Sequence, residues 1–143
     1  MAPPTDGRIL VVEDDEVFGA LVCRHLEARG YAVDLVGTTR EATELLDAGR
    51  RPWLVLLDIN LPDESGWSLI RAQAYRAAGT PPVIVVSATR VSPARLRDYG
   101  VAGYLPKPFA METLLDILDR RSRSAPGPAF ATAIDGSPIA PTD

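Results

Sequence analysis

Lys107 is the only lysine in the chain; every other basic residue among the 15 Lys+Arg is an arginine. It stands between two prolines in "GYLPKPF" (103–109), directly after an apolar run. Other short apolar runs also end in residues able to do chemistry. "RILVV" leads into Glu13, Asp14 and Asp15, "WLVLL" into Asp58, and "PVIVV" into Ser87. Carboxylates brought together repel one another, and their pKa values rise. A hard divalent cation relieves this. Mg²⁺ prefers oxygen ligands and takes one or two carboxylates together with phosphate oxygens and water. A carboxylate so placed can attack phosphorus and form an aspartyl phosphate. Phosphoryl transfer chiefly needs positioning and charge neutralisation. A metal on one side, a lysine on the other and a hydroxyl donor would supply both. Lysine is a compact point charge on a flexible stem, whereas arginine brings a wide, rigid fork.

These residues meet only if the elements between them bring the run ends together. Five apolar runs, at 8–12, 31–36, 53–57, 82–86 and 101–105, alternate with helical patterns. In "EVFGALVCRHLEARG", Val17, Phe18, Leu21, Val22 and Leu26 share one face of a 3.6-residue period, with His25 half-buried on its flank and Gly30 as the stop. "YAVDLV" alternates and suits an edge strand. "TTREATELLDAG" predicts a second helix capped by Thr38 or Thr39 and stopped by Gly49. "LPDESG" is turn chemistry, and "WSLIRAQAYRAAG" reads as a third helix. "SPARLRDYG" predicts a short fourth helix with Ser92 as N-cap and Pro93 at its first position. "METLLDILDRR" predicts a fifth, with Leu114, Leu115, Ile117 and Leu118 on its apolar side. Repeated strand–helix alternation with right-handed crossovers implies an α/β, doubly wound parallel sheet. In such a sheet ligands bind beyond the carboxyl ends of the strands. Glu13, Asp14, Asp58, Ser87 and Lys107 should therefore open on one rim.

Composition narrows the field. The 143 residues fit one domain, with hydrophobic content 46% and charged content 24%. A net charge of -4 gives no bulk attraction to nucleic acid or to membranes. No apolar run approaches the roughly 20 residues of a membrane helix. "MAPPTDGR" has no signal-peptide core. Cys23, the only cysteine, makes no internal disulfide. The expectation is a cytoplasmic protein with an extension at 1–6, one domain at 7–123, and a Pro/Ala/Gly-rich tail or linker at 124–143.

"ILVVEDD", "LVLLDINLPDESG", "PVIVVSA" and "YLPKPF" resemble, in order and position, the receiver domain of bacterial two-component response regulators. Asp58, Pro62 and Gly66 meet the D-x-x-x-P-x-x-x-G frame, and the resemblance covers residues 8–121. It implies a flavodoxin-like sheet of order 2-1-3-4-5 with five helices. It makes Asp58 the phosphoacceptor for a sensor histidine kinase or phosphotransfer protein. Glu13, Asp14, Asp58 and the backbone carbonyl of Asn60 become the Mg²⁺ set. Ser87 would bond the phosphoryl group, Lys107 would pair with its oxygens, and Tyr104 would be the aromatic that turns inward. The Lys107–Pro108 bond would be cis. Such a module is a signalling phosphoacceptor, not an enzyme acting on a separate substrate. It would serve a downstream effector protein or domain absent from this chain, with no nucleic acid or membrane contact of its own.

Blander roles exist for each residue. Asp58 could cap a turn, Ser87 could be an ordinary strand-end hydroxyl, and Tyr104 could be a static strand aromatic. Asp15 suits a helix N-terminus and receives no site role. Mg²⁺ enzymes of the haloacid-dehalogenase or topoisomerase–primase kind place a second acid two residues on, where this chain has Asn60. A dinucleotide fold needs a Gly-rich loop where this chain has "EDDEVFG". A receiver-like scaffold working without phosphate is the remaining alternative. Two departures from the family stand out. The step from Ser87 to Lys107 is short, which clips helix 4 and disturbs the usual output face. Helix 5 has Ile117 and Asp119 where arginines would serve a symmetric dimer, so the expectation is a monomer or a dimer through another surface that uses Ile117.

Overall fold

The computed structural model describes residues 6–73 and 81–123. The elements run β1 (Arg8–Val12), α1 (Glu16–Ala28), β2 (Ala32–Val36), α2 (Thr39–Asp47), β3 (Leu54–Asp58), α3 (Gly66–Gln73), β4 (Val83–Ser87), α4 (Pro93–Asp98), β5 (Gly103–Pro106) and α5 (Met111–Arg123). All strand pairs are parallel, in the order β2-β1-β3-β4-β5. The expected doubly wound topology is the one observed, with β2 on the edge. The rest of the expected third helix, residues 1–5 and the tail at 124–143 lie outside the described residues.

Alternation along each strand builds two cores. Leu10, Val12, Val55, Leu57 and Val85 face one way and pack with residues of α2, α3 and α4. Ile9, Val11, Leu54, Leu56, Ile84 and Val86 face the other way and pack with α1 and α5. β3 is buried at every position, as a central parallel strand requires. This double cover fixes the strand ends, and with them the rim.

Helix boundaries follow local chemistry. Asp15 caps α1, its carboxylate accepting the Phe18 N–H at 3.0 Å. Thr38, not Thr39, caps α2, accepting from the Glu41 N–H at 3.0 Å. Ser92 caps α4 and Pro93 opens it. Gly30 and Gly49 follow their helices at φ 93° and 97°, a conformation that suits residues without a Cβ. α2 has a second, distant cap. Asp63, in the β3–α3 loop, accepts the Thr39 and Arg40 N–H groups, both at 3.0 Å.

Burial raises the Asp63 carboxyl pKa, but these amides and those of Glu64 and Asp63 itself outweigh it, so the net position is below the usual aspartate value. A depressed acid stabilises the fold above its unfolded pKa, and the gain is lost as pH falls through the folded value. Asp63→Ala should therefore lower stability at neutral pH by about 1 kcal/mol, the worth of a cap. The gap to wild type should close on acidification below about pH 4. Thermal unfolding at several pH values measures both.

α4 is short, six residues, as expected. Its one buried apolar residue is Leu96. A tilted ring pair adds to this anchor: Trp67 lies 4.6 Å from Tyr99 at an interplanar angle of 47°, and the Arg95 guanidinium sits 5.1 Å and 5.9 Å from the two rings.

Three expectations need correction. Val17 is 82% exposed and Leu21 38%. The face of α1 that packs is Phe18, Gly19, Val22, Cys23 and Leu26. Val17 and Leu21 each lie one step of about 100° away from Phe18 and Val22. Gly19 is the side of α1 that meets Leu35 of β2, and Val17 and Leu21 lie on the opposite flank, past Phe18. His25 is exposed for the same reason, one step before buried Leu26. Ile117 is 2% exposed and belongs to the core, so it is unavailable for a dimer surface. Asp119 faces inward as well, pairing with Arg29 and accepting the Tyr31 hydroxyl at 2.8 Å. That pairing ties α5 to the end of α1.

Candidate functional site

The carboxyl ends of β1, β3, β4 and β5 converge as the alternation implied. Glu13 N–H bonds the Val36 carbonyl at 2.9 Å, which continues the β1–β2 ladder one residue into the site. Lys107 N–H bonds the Ser87 carbonyl at 2.8 Å and does the same for β4 and β5. Gly66 closes the floor under Asp58. A Cβ there would stand 2.8 Å from the Asp58 carbonyl oxygen and 3.0 Å from Ile59 Cα, so the frame requires glycine at its last position.

One oxygen from each of Glu13, Asp14 and Asp58 lies within 4.8 Å of the others. Glu13 and Asp58 are buried, 5% and 4% exposed, while Asp14 faces solvent. Lys107 Nζ bridges the buried pair, 2.7 Å from Glu13 Oε1 and 3.1 Å from Asp58 Oδ2. The other Asp58 oxygen accepts the Asn60 N–H at 2.8 Å, and the other Glu13 oxygen accepts the Asp15 N–H at 3.1 Å. Burial pushes the Glu13 carboxyl above its usual range; Lys107 and the Asp15 amide pull it down, and Asp58 pushes it further up. Burial works against the Lys107 ammonium, but Glu13 and Asp58 outweigh it and hold its pKa above the ordinary lysine value.

Three carboxylates and one ammonium leave the rim two charges negative. An all-oxygen set with that imbalance fits a hard divalent cation such as Mg²⁺. The fit rests on donor chemistry: carboxylate oxygens only, one of them open to water.

Ser87 is 1% exposed. Its hydroxyl lies 3.1 Å from Asn60 Oδ1, 2.8 Å from the Thr89 carbonyl and 2.9 Å from the Thr89 hydroxyl, and it accepts the Thr89 N–H at 3.0 Å. Tyr104 is 4% exposed and packed inward, paired in register with Val85 and among the residues of the α2–α3–α4 face. It therefore stands beside the site's scaffold, apart from the acids. The Lys107–Pro108 bond is cis.

Sequence reasoning missed two features. The Asn60 side chain, not only its backbone, reaches Ser87. Phe18 lies under Lys107, with Nζ 4.8 Å from the ring centroid, and its ring meets Phe109 edge to face at 5.6 Å. An aromatic one turn into a helix gives no signal beyond core periodicity, so only the fold reveals the second contact.

A doubly wound parallel sheet with an acidic rim, a buried serine and a lysine at a cis-proline bond combines the features that the sequence resemblance led us to expect. The response regulator receiver domain model matches residues 9–119, and the chain belongs to that family. Response regulator MprA of Mycolicibacterium vanbaalenii is 39% identical over 110 residues, which cover 76% of this chain and 47% of that protein. Transcriptional regulatory protein BasR of Escherichia coli is 38% identical over 109 residues, 75% of this chain and 48% of its own length. The chain spans about half the length of the curated relatives it matches. Among solved structures, the non-phosphorylated HemR receiver domain from Leptospira biflexa aligns with a TM-score of 0.74 at 32% identity, covering 85% of this chain and 98% of that one. Chemotaxis response regulator CheY4 of Vibrio cholerae aligns with a TM-score of 0.72 at 28% identity, covering 81% and 98%. No described helix is long and apolar enough to cross a membrane.

Proposed function

We propose that this chain is a phosphoacceptor: Asp58 takes a phosphoryl group from a sensor histidine kinase or phosphotransfer protein, and the new charge switches a partner-binding face. The observation that carries this reading is the bridge from Lys107 to both Glu13 and Asp58 beside Asp14. Glu13, Asp14, Asp58 and the Asn60 carbonyl would hold Mg²⁺, which when bound neutralises the acids and the incoming phosphoryl oxygens. An Asp58 carboxylate oxygen forms the bond to phosphorus as the bond to the donor's leaving group breaks. Lys107 exchanges Asp58 Oδ2 for a phosphoryl oxygen, a short swing for a flexible stem. The Ser87 hydroxyl has one proton and several nearby acceptors, so it can turn toward the phosphoryl group with little rearrangement. Tyr104, already packed inward, would stay buried as the β4–α4 loop moves toward the phosphoryl group.

In this reading the domain is residues 7–123, flanked by an extension and a tail or linker. It assists only its own phosphorylation and dephosphorylation. It works in the cytoplasm with its kinase and binds neither nucleic acid nor membrane itself. Its output passes to an effector protein or domain outside this chain.

Incubation with Mg²⁺ and acetyl phosphate should add one phosphoryl group by intact mass. Leaving out Mg²⁺ should prevent it, and Mg²⁺ alone should raise the thermal midpoint. A protein that never labels and binds no beryllofluoride would instead support a scaffold that acts without phosphate.

A further inference from the structure

We infer that Phe18 is a positioning residue for Lys107, holding the ammonium over its ring face so that the lysine reaches the phosphoryl group from a fixed point. The inference rests on the phosphoacceptor reading for its catalytic consequence, but not for its structural content.

Lys107 Nζ has three partners: Glu13, Asp58 and the Phe18 ring at 4.8 Å. Two of them are carboxylates whose charge is shared out differently once a cation or phosphoryl group arrives. The ring is the exception. It carries no charge to be neutralised, and its quadrupole attracts the ammonium equally before and after transfer. The ring is itself braced. Phe109, two residues past the lysine, meets it edge to face at an interplanar angle of 83°. The Asp15 cap fixes the Phe18 backbone by accepting its N–H at 3.0 Å. The lysine side chain is 21% exposed, so the contact is partly desolvated and stronger than one in open water.

This also gives "EDDEVF" a division of labour. Asp14 faces the acid cluster, Asp15 caps the helix, and Phe18, one turn on, returns to the same lysine. A leucine at 18 would keep an apolar side chain there but offers no ring face.

The uniqueness of Lys107 makes the test clean, because lysine-selective ¹³C labelling gives one ε-methylene signal. In wild type its protons should be shifted upfield by the ring current. The shift should vanish in Phe18→Leu and persist in Phe18→Trp. Acetyl phosphate labelling should slow about fivefold in Phe18→Leu, because a lysine no longer held over the ring must be ordered as the phosphoryl group arrives, and recover in Phe18→Trp and Phe18→Tyr. An unshifted wild-type signal, or a shift unaltered by Phe18→Leu, overturns the inference. So does a labelling loss that follows thermal midpoint instead of aromaticity. If wild type fails to label, the phosphoacceptor reading falls while the lysine signal still decides the role of Phe18.

Discussion

Asp58→Asn should abolish phosphoryl labelling while leaving the fold as stable as wild type, or more so. Both halves follow from the same geometry. Asp58 Oδ1 accepts the Asn60 N–H at 2.8 Å, and an asparagine carbonyl oxygen can accept that bond equally well. Asp58 Oδ2 is the second carboxylate on Lys107, behind Glu13, which sits closer at 2.7 Å. Replacing Asp58 removes one of two buried like charges; the amide nitrogen takes the Oδ2 place and cannot accept from the ammonium, so Lys107 turns wholly to Glu13. The lost nucleophile is not replaceable by an amide, nor by the neighbours: Glu13 is tied to Lys107 and the Asp15 amide, and Asp14 stands exposed at the edge of the cluster. Intact mass after acetyl phosphate should show no adduct, and urea unfolding should give a midpoint at or above wild type. Equal labelling of the variant would remove Asp58 from its role. A collapse in stability would mean that the aspartate is mainly structural.

Lys107→Met should do the opposite, weakening both fold and chemistry. Methionine keeps an unbranched apolar stem and removes the charge. Glu13 and Asp58 would then face each other, buried, with no cation between them. Breaking one side of a buried ionic contact costs about 3 kcal/mol at the lower end of the observed range, fitting a site open to water on one side. The pH dependence has a definite sign. Burial already holds the Glu13 carboxyl above its ordinary value, and losing Lys107 raises it further. An acid raised in the folded state is most favourable below its unfolded pKa, and that advantage is lost as pH rises through the folded value. The variant should therefore approach wild type near pH 4 and fall behind it toward neutrality. Lys107, with its folded pKa raised, contributes fully below about pH 10.4 and loses its contribution only above that. Urea unfolding at pH 4 and pH 7 separates the two regimes. Labelling should slow about 100-fold, the effect of removing one charge-stabilising donor. Equal stability at both pH values would show that the acids find another counter-charge.

Much of this was readable from residue types. A parallel sheet opens all its strand ends on one side, so acids, serine and lysine placed after successive apolar runs had to share a rim. The cap at Ser92, and one at Thr38 or Thr39, followed from side-chain oxygens placed ahead of helical periods; the structure selects Thr38 and adds Asp15. The short α4 followed from a contraction between Ser87 and Lys107. Val17, Leu21 and His25 went astray because periodicity marks a helix's apolar side only to within about one residue. What decides exposure is which flank the neighbours reach: β2 meets the helix at Gly19, and Val17 and Leu21 lie on the opposite flank. Ile117 went astray for the reverse reason. Its position suggested a surface by comparison with relatives, yet it lies in the same apolar arc as Leu114 and Leu118, and the sheet covers that arc.

By itself, then, the sequence determined the class of fold and the chemical inventory of the rim, because these depend on order along the chain and on the alternation of strands. Only the tertiary structure decided which way the side chains turn within that rim. It gave Lys107 two carboxylates and a ring at once, set Ser87 among Asn60 and Thr89, and brought Asp63 across to cap α2. Apart from the local Ser87–Thr89 pair, those contacts join residues 23 to 94 positions apart. They depend on rotamers and close approaches that no local pattern encodes, since each is fixed only when both cores have packed.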